Sequence, residues 1–157
     1  MKIVKENEII IRPTVREDLP SLCKIFQNDL GYPECTMEIL IRQFENLNPE
    51  REAVFSAVFR EDFENVVCGV IHVEKYNVLY FPTMANILGL AVAEDFRRNG
   101  IGRKLLAHAE QWAKKNDIKQ MRLNSGSRRI EAHEFYRAQG YKDDKMQLRF
   151  VKEMLIP

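Results

Sequence analysis

Cysteine is scarce in this chain of 157 residues: Cys23, Cys35 and Cys68 are odd in number, fit no Cys-x-x-Cys spacing and fall within apolar or helical patterns. Buried, reduced thiols fit that arrangement better than a disulfide framework, and the cytoplasm suits them. Net charge is scarce too, with 24 basic residues against 23 acidic for a formal +1. No whole-molecule field therefore draws the chain to nucleic acid or to an anionic membrane, and any attraction for anions must be local. No stretch approaches 18 uncharged apolar residues, and the first eight positions hold two lysines followed by polar and charged residues. A membrane-spanning helix and a secretory leader are not expected, so the reading is a soluble, unexported protein. None of the three histidines stands at metal-ligand spacing from Cys or Asp, and no metal is expected.

What is present is periodicity. Residues 8–13 read as a short strand, and Thr14 with Glu17 forms a capping box that opens a helix bearing Val15, Leu19, Leu22, Phe26 and Leu30 on one face. Gly31 and Pro33 interrupt the chain before a second helix with Met37, Leu40, Ile41, Phe44 and Leu47, ended by Asn48 and Pro49. Residues 53–60 and 66–76 make an antiparallel hairpin around the polar turn 61–65, with a loop at 77–85. The apolar run NILGLAVA, residues 86–93, suits a central strand, and residues 100–115 form a helix with Ile101, Leu105, Ala109 and Trp112 in line. A strand at 119–124, a helix at 130–139 stopped by Gly140, and a last strand at 145–154 complete the order βααβββαβαβ. No repeat, linker or low-complexity stretch intervenes, so residues 1–157 read as one α/β or α+β domain around a mixed sheet.

The most informative segment is Arg97-Arg98-Asn99-Gly100-Ile101-Gly102, between the apolar strand and the amphipathic helix. A helix start leaves backbone N–H groups unpaired and carries partial positive charge, so glycines that let a ligand approach make a phosphate cradle. Arg97, Arg98, Arg103 and Lys104 crowd that same end, the wrong sign for helix stability and the right one for a polyphosphate. A plain tight turn with solvated basic side chains is the alternative, since short glycine motifs recur by chance. Two other nucleotide motifs fail: there is no GxxxxGK[ST] run, and Leu105 stands where a dinucleotide fingerprint needs its third glycine.

The segment LGLAVAEDFRRNGIGRKLLAHAEQWA resembles the signature of the GNAT superfamily of N-acetyltransferases, Q/R-x-x-G-x-G/A after a central strand. The resemblance implies a mixed, mostly antiparallel sheet of six to seven strands flanked by four helices. It implies acetyl-CoA as cosubstrate, its pyrophosphate facing Arg97, Arg98, Asn99, Gly100, Ile101, Gly102 and Arg103, and its pantetheine arm pairing with the backbone of Leu90, Ala91 and Val92. A strand N–H not used in the sheet would polarise the thioester carbonyl without reorganising.

The resemblance continues through Arg129-Ile130-Glu131-Ala132-His133-Glu134-Phe135-Tyr136 and Gly140-Tyr141, with Arg129 where the family usually has asparagine. Arg129 would then meet a phosphate, and Tyr136 would be the general acid for the departing thiolate, its ordinary pKa of about 10 keeping the proton available. An alkylammonium of pKa about 10.4 is mostly charged at neutral pH, so a base is needed too. Asn86, Leu88 and Leu90 offer no carboxylate; His72 and Glu74 on one strand face, and Glu34 between the first two helices, are the candidates. His108 and His133 read as solvated surface residues. Gly31, Tyr32, Glu34, Tyr76, Tyr80, Phe81, Arg149 and Lys152 would line the acceptor pocket, mixing acid, aromatic and basic groups. The expected activity is acetylation of a primary amine on a small molecule, with peptide or protein acetylation and non-catalytic acyl-CoA binding as alternatives. Exposed strand edges leave room for a homodimer.

Overall fold

The computed structural model describes residues 1–157, apart from the side chain of Glu6. The chain forms two compact units, Met1–Asn124 and Ser125–Pro157. In the first, β1 (Ile9–Pro13), α1 (Leu19–Asn28) and α2 (Met37–Glu45) precede three long strands, β2 (Glu52–Glu61), β3 (Glu64–Val78) and β4 (Phe81–Val92). Helix α3 (Ile101–Lys115) and the short β5 (Met121–Leu123) follow; the second unit holds α4 (Ile130–Ala138).

The strands lie in the order β1-β2-β3-β4-β5 in a single sheet. The first three pairings are antiparallel and β4 pairs β5 in parallel. The mixed, mostly antiparallel sheet and the four helices agree with expectation, but the strands are five instead of six or seven. Alternating side chains at 145–154 pointed to a further strand, yet residues 142–157 form neither helix nor strand, and Met146, Leu148 and Phe150 are exposed. Alternation describes how a strand would present its side chains; the partner backbone that makes it a strand has to come from elsewhere.

Two further boundaries differ. Residues 77–85 are not a loop: Val78 pairs with Phe81, so β3 and β4 run into a hairpin turned by Leu79 and Tyr80. Asp18, not the Thr14 and Glu17 pair, anchors the entry to α1. Its carboxylate accepts from the Val15 backbone N–H at 3.0 Å, while the Thr14 hydroxyl instead bonds Ser56 at 2.8 Å. Asp18 also receives both guanidinium nitrogens of Arg12, at 2.7 and 2.8 Å, and the Ser56 hydroxyl at 3.0 Å.

One face of the sheet is covered by α1 with α2 packed beside it, the other by α3. Leu19, Leu22 and Ile25 of α1 pack with Val58, Val67, Val70 and Ala91. On the other face Ile101, Leu105, Ala109 and Ala113 of α3 are buried. Full burial of one such Leu or Ile contributes roughly 1.5–3 kcal/mol. Gly69 lets α3 sit close: a Cβ there would lie 3.0 Å from Leu105 Cδ1 and 3.2 Å from Ile101 Cγ2. Cys23 and Cys68 are buried and Cys35 is half-buried, all three free thiols, and burial pushes the Cys68 thiol up to about 12.

Candidate active site

β4 departs from β5 partway along its length. It pairs with β3 through Val92, but with β5 only at Ala85, Asn86 and Ile87. Between His72↔Gly89 and Val73↔Ile87, β4 carries one extra residue, Leu88, which is a β-bulge. A bulge bends its strand and ends regular pairing. Beyond it, Leu90, Ala91 and Val92 have no strand partner on the β5 side among the described residues. Apart from the Val92 carbonyl, which Arg97 bonds, their outward N–H and C=O groups form an open backbone edge of the kind an extended ligand can pair with.

That edge leads into the basic turn. Glu94–Phe96 make a 3₁₀ turn, Arg98 takes a left-handed φ of 65°, and Gly100 takes φ 74° before α3 begins. The left-handed step is natural for Gly100 and uncommon for Arg98, an observed departure of the sort that collects at ligand sites. The N-cap of α3 is Gly100, which has no side chain to bond the first-turn amides. Arg97 is held by Asp29 at 3.0 Å and by the Val92 carbonyl at 3.3 Å. Burial raises the Asp29 carboxyl above its ordinary range even beside Arg97. Arg98 is exposed. The Asn99 side chain is occupied: Oδ1 accepts from the Val4 N–H at 3.0 Å, and Nδ2 donates to the carbonyls of Lys2 and Phe96 at 2.8 and 2.9 Å. Lys104 donates to the Ile9 carbonyl at 2.7 Å.

A polar cluster crosses the sheet on the face that α1 covers. Glu52, Glu74, Asn86 and Arg122 are successive cross-strand partners on β2, β3, β4 and β5, which puts them on one face. His72, two residues from Glu74, shares that face. Glu74 is buried, with one oxygen taken by Arg51 at 2.7 Å and the other by Asn86 at 3.0 Å. Asn86 Oδ1 accepts from Arg122 at 2.8 Å, and the Arg122 guanidinium lies 4.4 Å from the Tyr76 ring centroid. His72 Nε2 lies 2.8 Å from Glu52 Oε1. Burial, the largest single effect, disfavours a charged Glu52, but the bond to His72, the Asn48 N–H and the nearby Arg51 together outweigh it and hold the carboxyl below its ordinary range. Glu34 is exposed between α1 and α2. Among the described residues no group of three or more His, Cys, Asp or Glu could hold a metal ion. Among the described residues no helix is long and apolar enough to cross a membrane.

In the second unit, Arg129 precedes α4 and is exposed, its N–H bonded to the Gly126 carbonyl at 3.0 Å. Tyr136 packs edge-on against Phe135, with ring centroids 5.2 Å apart, and tilted against Tyr141 at 5.9 Å. Burial raises the Tyr136 hydroxyl above its ordinary pKa, against a smaller opposing effect from Arg129. His133 is half-buried and contacts the Gly126 carbonyl at 2.9 Å. His108 is not the solvated surface residue expected. It stands edge-on to Phe55, centroids 4.5 Å apart, and burial with Lys115 nearby lowers its pKa.

The sequence model described as the acetyltransferase (GNAT) family matches residues 19–141, most of the chain. The chain belongs to the acetyltransferase (GNAT) family. Solved structures agree in fold. A protein titled a transcriptional regulator, from Bacillus halodurans C-125, aligns with a TM-score of 0.81 at 22% identity, over 92% of this chain and 99% of that one. The aminoglycoside N-acetyltransferase AAC(6')-Iy, in complex with the bisubstrate analogue CoA-S-monomethyl-acetylneamine, aligns at 0.76 and 16% identity, over 93% and 99%. A GNAT family acetyltransferase from Staphylococcus aureus aligns at 0.72 and 25% identity, over 94% and 99%. No curated protein matches the chain.

Within this GNAT chain, the residues the sequence had singled out on β4 and the following turn form one continuous segment, from the Leu88 bulge to the first turn of α3. Of the cross-sheet cluster, His72 and Glu74 were expected as base candidates and Tyr76 in the acceptor pocket, while Glu52 and Arg122 were missed. Glu52 lies one residue before the expected strand start, so its place opposite Glu74 depended on a boundary that periodicity does not fix.

Proposed function

We propose that this GNAT chain transfers the acetyl group of acetyl-CoA to a primary amine of a small molecule by direct attack on the thioester. One observation carries the reading: the bulged β4 opens a backbone edge that runs directly into a basic helix start whose N-cap is a glycine. An extended arm ending in a diphosphate has the chemistry to follow such a path, pairing first with Leu90, Ala91 and Val92 and then meeting the amides of residues 98–103.

Arg98 and Arg103 supply charge to the diphosphate, while Asp29 steadies Arg97 beside it. Asn99 contributes its backbone, since its side chain ties residues 2–4 to the turn. Arg129 takes the place of the family's usual asparagine as a phosphate contact. Tyr136, kept protonated by burial, is the acid for the departing thiolate. The small amine acceptor is supported by structural neighbours named as aminoglycoside N-acetyltransferases, AAC(6')-Iy and AAC(6')-IG.

Calorimetry with acetyl-CoA tests the cosubstrate, and thiol release with neamine, other primary amines and lysine peptides tests the acceptor. Binding should be clear with the native chain and weakened roughly 10- to 100-fold by Arg98→Glu, the loss expected for charge-assisted bonds turned repulsive. Absence of acetyl-CoA binding by folded protein overturns the reading; preference for peptides over small amines moves the acceptor to polypeptide.

A further inference from the structure

Resting on the acetyltransferase reading, the geometry points to His72, oriented by Glu52, as the catalytic base that takes the proton from the attacking ammonium. Three relationships support this. His72 and Gly89 are cross-strand partners, so the imidazole is rooted beside the residue that follows the Leu88 bulge, where β4 leaves β5. A Cβ on Gly89 would lie 3.4 Å from Leu30 Cδ2, which places the absent side chain on the α1 face, the face His72 shares. Glycine at 89 thus leaves the imidazole without a side chain opposite it on β4, while Val54 is its partner on β2.

Glu52 fixes the tautomer. Its carboxylate, 2.8 Å from Nε2, accepts the Nε2–H, so the lone pair resides on Nδ1, the atom able to receive a proton. The side chains of His72 and Glu52 are 28% and 17% exposed, enough for a ligand to reach them and little enough to hold their geometry. The other charged groups on this face are already engaged: Glu74 with Arg51 and Asn86, and Arg122 with Asn86 over Tyr76. Glu74 is therefore a structural carboxylate, and His72 is the group left to move a proton.

The step balances. The ammonium proton passes to Nδ1 and on to water; the amine lone pair forms the new N–C bond as the C–S bond breaks. The second proton shed by nitrogen offsets the one the thiolate gains.

His72→Gln keeps a donor for Glu52 and removes the base. With acetyl-CoA and whichever of neamine and a primary amine panel turns over, it should lose roughly 10²–10⁴ in kcat and leave the acetyl-CoA Kd unchanged. Native kcat/KM should rise with pH through an imidazole inflection to a plateau. The variant should lack that inflection. Glu52→Gln keeps the imidazole and lowers kcat less, because it removes only the group that orients the ring. It also serves if His72→Gln does not fold. Native turnover with His72→Gln equally active, or with Glu52→Gln unchanged in kcat, overturns the base assignment alone. Native binding of acetyl-CoA with no amine acetylated overturns the acetyltransferase reading, and the base with it.

Discussion

Asn86 Nδ2 on β4 donates to Oε1 of its cross-strand partner Glu74 on β3 at 3.0 Å, while Arg51 holds the other carboxylate oxygen at 2.7 Å. A buried carboxylate with both oxygens bonded is a cross-brace between strands, and charge-assisted bonds of this kind are worth roughly 1.5–3 kcal/mol each before solvent weakens them. Arg51 is largely exposed, so the lower part of that range applies. Glu74→Gln should therefore lower stability by about 1–2 kcal/mol in urea denaturation and leave kcat unchanged. A collapse of turnover with native stability would instead make Glu74 the base.

The contrast between Glu74 and Glu52 also shows what the sequence could and could not disclose. Helices α1 and α3 were legible because their apolar residues recur at helical spacing within a short stretch, a local signal that packing then completes. The Gly100 turn was legible because two glycines and four basic residues at a helix start conflict with helix stability unless something anionic relieves them. The cluster from Glu52 to Arg122 was not, because it exists only once the registers of four strands are set. Register depends on turns such as Leu79–Tyr80 and on the Leu88 bulge, neither of which alternation predicts. The run at 145–154 failed for the converse reason: its pattern was right for a strand, and its backbone has no ladder in this structure.

Asp18 makes the entry to α1 sensitive to acid. Burial alone would raise its carboxyl, but bonds from Arg12, the Val15 amide and Ser56 outweigh that and hold it below its ordinary range. A depressed folded pKa stabilises fully above the unfolded value of about 3.9, and the contribution fades as pH falls through the lower folded value. Asp18→Asn should cost about 3 kcal/mol at neutral pH, the low end for breaking a buried pair because Arg12 keeps some access to water. The variant's stability should also fall less steeply than the native chain's below about pH 4. Denaturation midpoints measured from pH 3 to 7 would check both the size and the sign.

Gly69 sets the distance between the sheet and α3. A methyl group there would meet Leu105 Cδ1 at 3.0 Å and the Ala91 carbonyl oxygen at 3.1 Å, and only the leucine end can move aside. Gly69→Ala should destabilise by roughly 1–3 kcal/mol through overpacking, and Gly69→Val by more. Because Ile101 at the start of α3 lies in the same contact, acetyl-CoA affinity should weaken together with stability. An alanine variant as stable as the native chain would mean that α3 shifts without cost.

Tyr136 carries the last prediction. Its hydroxyl must be protonated to serve as an acid, and burial raises its pKa above the ordinary value of about 10. The acid limb of the reaction should therefore hold through neutral pH and decline only as pH rises past that value. Tyr136→Phe removes the proton donor while keeping the ring that packs on Phe135 and Tyr141. Turnover should drop by roughly 10²-fold or more with the acetyl-CoA Kd unchanged, and the alkaline decline should vanish from the kcat profile. Retained turnover with an unaltered alkaline limb would show that the thiolate leaves without help from this hydroxyl, water being the remaining donor.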